Sequence, residues 1–192
     1  MLMWNLCMQK QLFRFERLVV DRSRMVFKNL KYFSPLLKLY LKYIRFLEDD
    51  FSLFAENPFD ALLAYLEQTS PHFYLVLSGD DVCGFFALED IVGKNNDLYS
   101  AYVVTCFDKK YWGTFTKYAG RAFVDFCFNQ LGLVKLKAFV YPQNYRVRGI
   151  LNSCGFQKEA LLKAETLKNG KQQSLEIYSV FNSQKILEEK CK

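Results

Sequence analysis

Glu89 and Asp90 close an apolar, β-prone run over 82–91. A carboxylate held at a strand end can take a proton from an amine, directly or through one water. Thr114, Phe115, Thr116 and Lys117 open a strongly periodic apolar segment that follows Trp112-Gly113. The first N–H groups of a helix have no partner inside it and sit at the positive end of its dipole, so this start suits a phosphate-type anion. The hydroxyls of Thr114 and Thr116 and the ammonium groups of Lys109, Lys110 and Lys117 add donors and positive charge. A third stretch, 133–156, reads as an alternating strand, a Pro142-Gln143-Asn144 turn, a short helix and a Gly155-Phe156 stop. Proton removal and anion binding combine into one chemistry only if the fold brings such segments together.

The other reactive side chains are scattered. Cys7, Cys83, Cys106, Cys127, Cys154 and Cys191 contain no C-x-x-C, and His72 is the single histidine, which argues against a structural metal site and leaves a Cys–His dyad only if His72 is its base. Scattered thiols are expected to stay reduced in a cytoplasmic protein. His72, after Ser70-Pro71, reads as a surface turn residue, and Asp80-Asp81 reads as turn chemistry. No apolar run is long enough for a membrane span, and the first residues lack a secretory layout. The net charge of +6 is spread along the chain, which favours mild attraction of anions over the clustered basic face of nucleic-acid binders. Aromatic residues make up 17% of the chain and are read as an aromatic-rich core, with an aromatic-lined groove as the sharper reading.

The elements that must position these groups follow from periodicity. Residues 25–30 predict a first strand. Ser34-Pro35 predicts a helix with Ser34 as N-cap, carrying Leu36, Leu37, Leu39, Tyr40, Tyr43, Ile44 and Leu47 on one face. Asn57-Pro58 opens a second helix in the same way. Runs 73–77 and 82–91 predict a hairpin, Asn95-Asn96-Asp97 a turn, and 98–107 a third strand. After a loop over 108–113, a helix over 114–131 carries the stripe Phe115, Tyr118, Ala119, Ala122, Phe123, Phe126 and Cys127, and Gly132 stops it. The strand over 133–141 turns Val134, Leu136, Ala138 and Val140 inward and Lys135 and Lys137 outward. A helix over 146–153 and two strands over 160–167 and 174–181, joined by Asn169-Gly170, complete the chain. The expected division is an N-terminal extension (1–24, with Met25 as an alternative start), a core domain (25–182) and a polar tail (183–192).

That order predicts an α/β (α+β) class: a mixed, mostly antiparallel central sheet flanked by helices. Within it Trp112-Gly113, Pro142-Gln143-Asn144, Gly155-Phe156 and Glu159-Ala160-Leu161-Leu162 follow one another. On these residues the chain resembles, over about 25–181, the GNAT superfamily of acetyl-CoA-dependent N-acyltransferases, in particular the branch of ribosomal-protein N-terminal acetyltransferases. The resemblance implies a GNAT fold and direct transfer of an acetyl group from acetyl-CoA to a primary amine. The acceptor would be a small molecule or a protein N-terminus, with no metal, membrane or nucleic-acid partner and with a homodimer allowed. It implies that Gly113, Thr114, Phe115, Thr116 and Lys117 hold the pyrophosphate. Val103, Val104 and Thr105, on a strand that splays from its neighbour, would pair with the pantetheine arm through backbone groups. Asn144 would contact that arm or order its turn. Arg146 and Arg148 straddle the helix after Asn144 and read either as a solvated helix face or as contacts to a CoA phosphate. Glu89 is the candidate base. The family's tyrosine acid is replaced by Leu151, so Tyr141, with Ser153 beside it, is the candidate acid.

The phosphate loop departs from the family form Q/R-x-x-G-x-G/A. Gly113 is kept, while Phe115 and Lys117 occupy the later glycine places. Phe115 obstructs close backbone approach to phosphate and reads as the first core residue of its helix. Val147 also stands where the family has Ser or Ala. These departures motivate two alternatives: a GNAT-fold binding or scaffolding module without catalysis, and a nucleic-acid-binding protein using its basic, aromatic surface.

Overall fold

The computed structural model describes residues 12–47, 57–94 and 97–185. Among them the strands are β1 (Arg14–Arg17), β2 (Val19–Asp21), β3 (Val26–Lys28), β4 (Phe73–Ser78), β5 (Asp81–Lys94), β6 (Asp97–Phe107), β7 (Lys135–Val140), β8 (Gln157–Lys168) and β9 (Lys171–Phe181). The helices are α1 (Phe33–Leu47), α2 (Pro58–Thr69), α3 (Thr114–Asn129) and α4 (Tyr145–Ser153). Seven strands hydrogen-bond in the order β1-β4-β5-β6-β7-β9-β8, while β2 and β3 form a separate hairpin. The β6–β7 pair is parallel; β1–β4, β4–β5, β7–β9 and β8–β9 are antiparallel. This is the mixed, mostly antiparallel sheet with flanking helices that the sequence predicts. Asn95 and Asn96, expected as a turn, lie outside the described residues, as do 1–11 of the expected extension and 186–192 of the expected tail.

The chain falls into two compact units. One runs through Ala87 and takes in Thr105–Trp112; the other comprises Leu88–Val104 and the residues from Gly113 onward. In the first, β4 is buried from Phe73 to Leu77, as a strand covered on both faces must be. Tyr65 of α2 meets Phe73 and Phe85 edge-on, and those two rings stack at 4.8 Å. Here the aromatic bias builds core. Asn57 caps α2 by accepting the Asp60 N–H at 2.9 Å, as its sequence predicts. Ser34, the expected cap of α1, instead lies in the first turn of that helix. Asn29, at φ 61, starts a 3₁₀ turn over Leu30–Tyr32 that runs straight into Phe33. Residues 14–21, expected ahead of the core, pair into β1 and β2: Arg14–Arg17 run antiparallel to β4, and the Leu18 N–H donates to the Phe73 carbonyl at 3.0 Å. The expected strand over 25–30 shortens to β3, an exposed partner of β2.

The loop expected over 108–113 is ordered by its own capping. Asp108 caps the turn Lys109–Tyr111 through the Lys110 N–H and takes the Lys42 ammonium at 2.8 Å. The Trp112 indole donates to the Phe107 carbonyl at 2.8 Å and lies beside Tyr43.

In the second unit β7 alternates as predicted, with Leu136, Ala138 and Val140 buried. The face of α3 that packs is Thr116, Ala119, Gly120, Phe123, Val124 and Cys127. It is rotated from the predicted stripe, so Phe115 is only half-buried and Tyr118 is exposed. The cause is the contact with α4: a Cβ on Gly120 would come within 2.8 Å of Cys154 Sγ, and Arg121 Nε donates to the Ser153 carbonyl at 2.7 Å. Asn169 (φ 53) and Gly170 (φ 69) form the predicted left-handed turn between β8 and β9. The expected polar tail is tied down where it begins: the Asn182 N–H donates to Val134, and Lys185 donates to the Gly132 carbonyl.

Gly84 carries a hard constraint in the first unit. A Cβ there would clash with the Cys106 carbonyl oxygen and meet the Phe107 ring at 2.7 Å. Gly84→Ala is therefore expected to destabilise the protein by about 2–3 kcal/mol, the scale of overpacking against immovable atoms. A urea denaturation series comparing the two proteins checks this.

Candidate functional site

β6 and β7 are paired only at Ser100↔Lys135, Ala101↔Leu136 and Tyr102↔Lys137. β7 continues beside β9 as far as Val140↔Glu176, while β6 continues through Val103 and Val104. The parallel ladder thus ends while both strands go on, leaving half-buried Val103 and Val104 past its last rung. Backbone groups past the end of a ladder still need partners. An extended, amide-bearing ligand can supply them.

At the last rung, Tyr102 and Phe139 stack at 4.4 Å and the Lys137 ammonium lies 4.1 Å from the Tyr102 ring centre. Burial pushes the Tyr102 phenol up, with Asp90 and Glu159 adding to the effect. Thr105 belongs to the first unit, where its hydroxyl donates to the Phe85 carbonyl at 2.9 Å.

α3 begins at Gly113 with φ 96 and ψ −123, a conformation for which only glycine is suited. A Cβ there would meet nothing within 4 Å, so the backbone angle and not space selects the glycine. The first turn carries no acidic residue, and Thr114 and Lys117 are exposed. Thr116 is buried: its side chain faces the packed side of α3, and the sequence reading that counts its hydroxyl among the surface donors does not match. Phe115, read as core, is half-buried beside it.

Pro142, Gln143 and Asn144 form the turn between β7 and α4. The Asn144 N–H donates to the Tyr141 carbonyl at 2.8 Å, and Asn144 Oδ1 caps α4 by accepting the Val147 N–H at 3.3 Å. Tyr141 is half-buried, with the Lys168 ammonium 5.1 Å from its ring centre. Arg146 is exposed on α4. Leu151 is buried and has no proton to give, and the Ser153 hydroxyl is spent on the Ile150 carbonyl at 2.7 Å. Glu89 does not end its strand. β5 runs on to Lys94, and the interruption is local: Asp90 adopts φ 45, which swings the chain beside half-buried Glu89.

Arg148 and Glu176 escape a sequence reading. The pattern places Arg148 on a solvated helix face, but its guanidinium donates to the Tyr178 hydroxyl at 3.1 Å and to the Pro142 carbonyl at 3.0 Å. It also lies 3.3 Å from Glu176 Oε2. Glu176 is buried, with Lys158 on its other oxygen at 2.6 Å. The Lys158 hydrogen bond is the largest of the causes that hold the Glu176 carboxyl below the ordinary glutamate range. Strand alternation sends these neighbours to different partners: Lys158 takes Glu176, and Glu159 takes the Lys135 ammonium at 2.7 Å. That Lys135 bond likewise holds the Glu159 carboxyl down. The only sequence signal for these pairings is charge inside otherwise strand-like runs.

Among the described residues no cluster of His, Cys, Asp and Glu is arranged to hold a metal ion, and no helix is long and apolar enough to cross a membrane. A cleft of about 680 Å³ lies in the first unit, lined by Arg17, Asp21, Arg24 and Glu67 among others, and includes none of the candidate site residues.

Residues 48–157 match the family model of the acetyltransferase (GNAT) domain. No curated protein sequence matches the chain significantly. Similar solved structures include ribosomal-protein-S5-alanine acetyltransferase from Vibrio fischeri, with a TM-score of 0.70 and 15% identity over 89% of this chain and 93% of that one. RimJ from Mycobacterium smegmatis in complex with CoA-disulfide gives 0.66 and 15% identity, covering 82% and 80%. Spermidine N-acetyltransferase from Vibrio cholerae, in complex with CoA and spermine, gives 0.66 and 19%, covering 92% and 99%.

Two outcomes follow from this geometry. Gly113→Ala is expected to cost about 1–3 kcal/mol, from backbone strain without a clash, in chemical denaturation. Glu159 and Glu176 have folded-state values below their unfolded ones. Their contribution is therefore complete above the ordinary glutamate range and lost as pH falls through the lowered values. Urea midpoints should fall as the pH drops below about 4, and Glu159→Gln should flatten that fall.

Proposed function

The chain belongs to the GNAT acetyltransferase domain family, and from that membership we propose that it moves the acetyl group of acetyl-CoA directly to a primary amine. The observation that supports this most is the early end of the β6–β7 ladder at Tyr102↔Lys137, followed in sequence by the glycine-started helix α3. On this reading the backbone of Val103 and Val104 pairs with the amides of the pantetheine arm. Gly113, Thr114, Phe115, Thr116 and Lys117 form the helix start that takes the pyrophosphate. Exposed Lys117 and Arg146 add positive charge, and the Asn144 turn closes the pantetheine side.

Acetyl-CoA supplies an acyl carbon activated by its thioester. Glu89, directly or through one water, takes the proton that the acceptor amine loses as the C–N bond forms. The C–S bond breaks, and the Tyr141 hydroxyl gives its proton to the departing sulfur. An α-amino group is the preferred acceptor on two grounds. Its ordinary pKa of about 8 leaves a sizeable neutral fraction at pH 7. The chain's +6 charge also repels a polycation. The acceptors of two proteins of similar fold, a ribosomal-protein alanine and spermidine, are both amines.

A second reading, a GNAT-fold binding module without catalysis, draws on Leu151, which is buried and cannot donate a proton, and on Phe115 and Lys117 at the places of family glycines.

Acetyl-CoA at about 100 times its Kd should stabilise the protein by about 2.7 kcal/mol. In a domain of this size that is roughly a 5–10 °C rise in melting temperature. No shift at millimolar acetyl-CoA overturns the enzyme reading. With a peptide acceptor, Glu89→Gln and Tyr141→Phe should each lower kcat about 100-fold. A shift without any turnover points to the binding module.

A further inference from the structure

Among the described residues Glu176 is the only buried acid, with a side chain 6% exposed. Its place follows from register: on β9 it stands opposite Val140, the last residue of β7, and Leu161 of β8. It therefore lies one residue short of the strand's exit into Tyr141 and the Pro142–Asn144 turn. Lys158 of β8, opposite Tyr178 and so on the same face as Glu176, donates to Oε1 at 2.6 Å. Oε2 lies 3.3 Å from Arg148 Nε, whose N–H is directed at the Tyr178 hydroxyl.

The carboxylate thus acts on Arg148 as a fixed charge, while Tyr178 sets its direction. The free end of the same guanidinium, Nη1, donates to the Pro142 carbonyl at 3.0 Å. A planar guanidinium held at one end is held at the other. Arg148 also sits on α4, whose first turn is capped by Asn144. One cation therefore ties three things together: the β9 carboxylate, the carbonyl that opens the turn, and the helix that Asn144 starts.

Stability alone does not explain this arrangement, since apolar residues of similar volume commonly replace buried ion pairs without loss. What a directional bond to a carbonyl provides is position. Without the Glu176 charge, Arg148 and Lys158 are two like charges with 32% and 42% of their side chains exposed, and both can turn to water. The Pro142 carbonyl then loses its donor.

We propose that Glu176 is a positioning residue for the cofactor-side turn: its buried carboxylate keeps the Arg148 guanidinium on the Pro142 carbonyl and so sets where Asn144 faces the pantetheine arm. This rests on the acetyl-CoA reading above.

The test is Glu176→Gln in the full chain, read two ways. Amide hydrogen exchange without ligand reports the turn itself, and calorimetric titration with CoA reports its use. Exchange over 142–147 should rise at least tenfold while that of β7 stays unchanged, and CoA should bind about tenfold more weakly. Arg148→Gln, which leaves Glu176 paired with Lys158, should reproduce both effects and serves if Glu176→Gln fails to fold. Unchanged exchange over 142–147 overturns the proposal whatever CoA does. Faster exchange with unchanged CoA affinity also overturns it, leaving a purely structural role. If the wild-type protein binds no CoA, the cofactor reading itself falls, and the exchange data then report the state of the turn separately.

Discussion

β6 and β7 run parallel, and a parallel pair cannot be closed by a tight turn. The chain must leave the end of one strand, travel back and enter the other from the same side, and α3 is that return path. The helix must therefore start soon after β6 finishes at Phe107. The same crossover has to be packed closely, which is why Gly120 and Cys154 approach one another and why the buried face of α3 includes a threonine and a glycine. Once β7 is committed to its long antiparallel ladder with β9, it can follow β6 only as far as Tyr102↔Lys137. The opened edge, the helix start and the Asn144 turn are consequences of that one topological requirement.

Electrostatics then secures the elements on the far side of β7. The chain carries many charges spread evenly, and a spread pattern reads as solvated surface. In the second unit several are instead partnered: Lys135 with Glu159, and Lys158 and Arg148 with Glu176. Lys158 and Glu159, adjacent on β8, serve opposite faces of the sheet by the strand's ordinary alternation. The pairs are half-exposed except for Glu176, so their value lies less in net stability than in fixing orientation.

The elements were largely legible in the sequence. Period-two alternation in β7, the Asn57-Pro58 helix start and the Asn169-Gly170 turn are local signals, and local physics suffices to read them. The misses share a cause. β1 reads Arg-Phe-Glu-Arg, which shows no strand until β4 supplies its partner. Ser34 looks like a cap, but Asn29 begins the turn earlier. Glu89 looks like a strand end, because Asp90 at φ 45 interrupts the backbone without ending β5. Of the candidate site, Gly113 and Asn144 announce themselves through backbone chemistry: a positive φ at a helix start and a cap at a turn.

The sequence alone therefore determined the order and type of most elements, the fold class and the resemblance that points to an acyl transfer, because these depend on neighbours within a turn or two. Tertiary structure alone decided which face of α3 is buried, that β6 and β7 part after Tyr102, and that Arg148 and Glu176 meet. Each is a contact between residues distant in the chain, fixed by packing and register that no single segment carries.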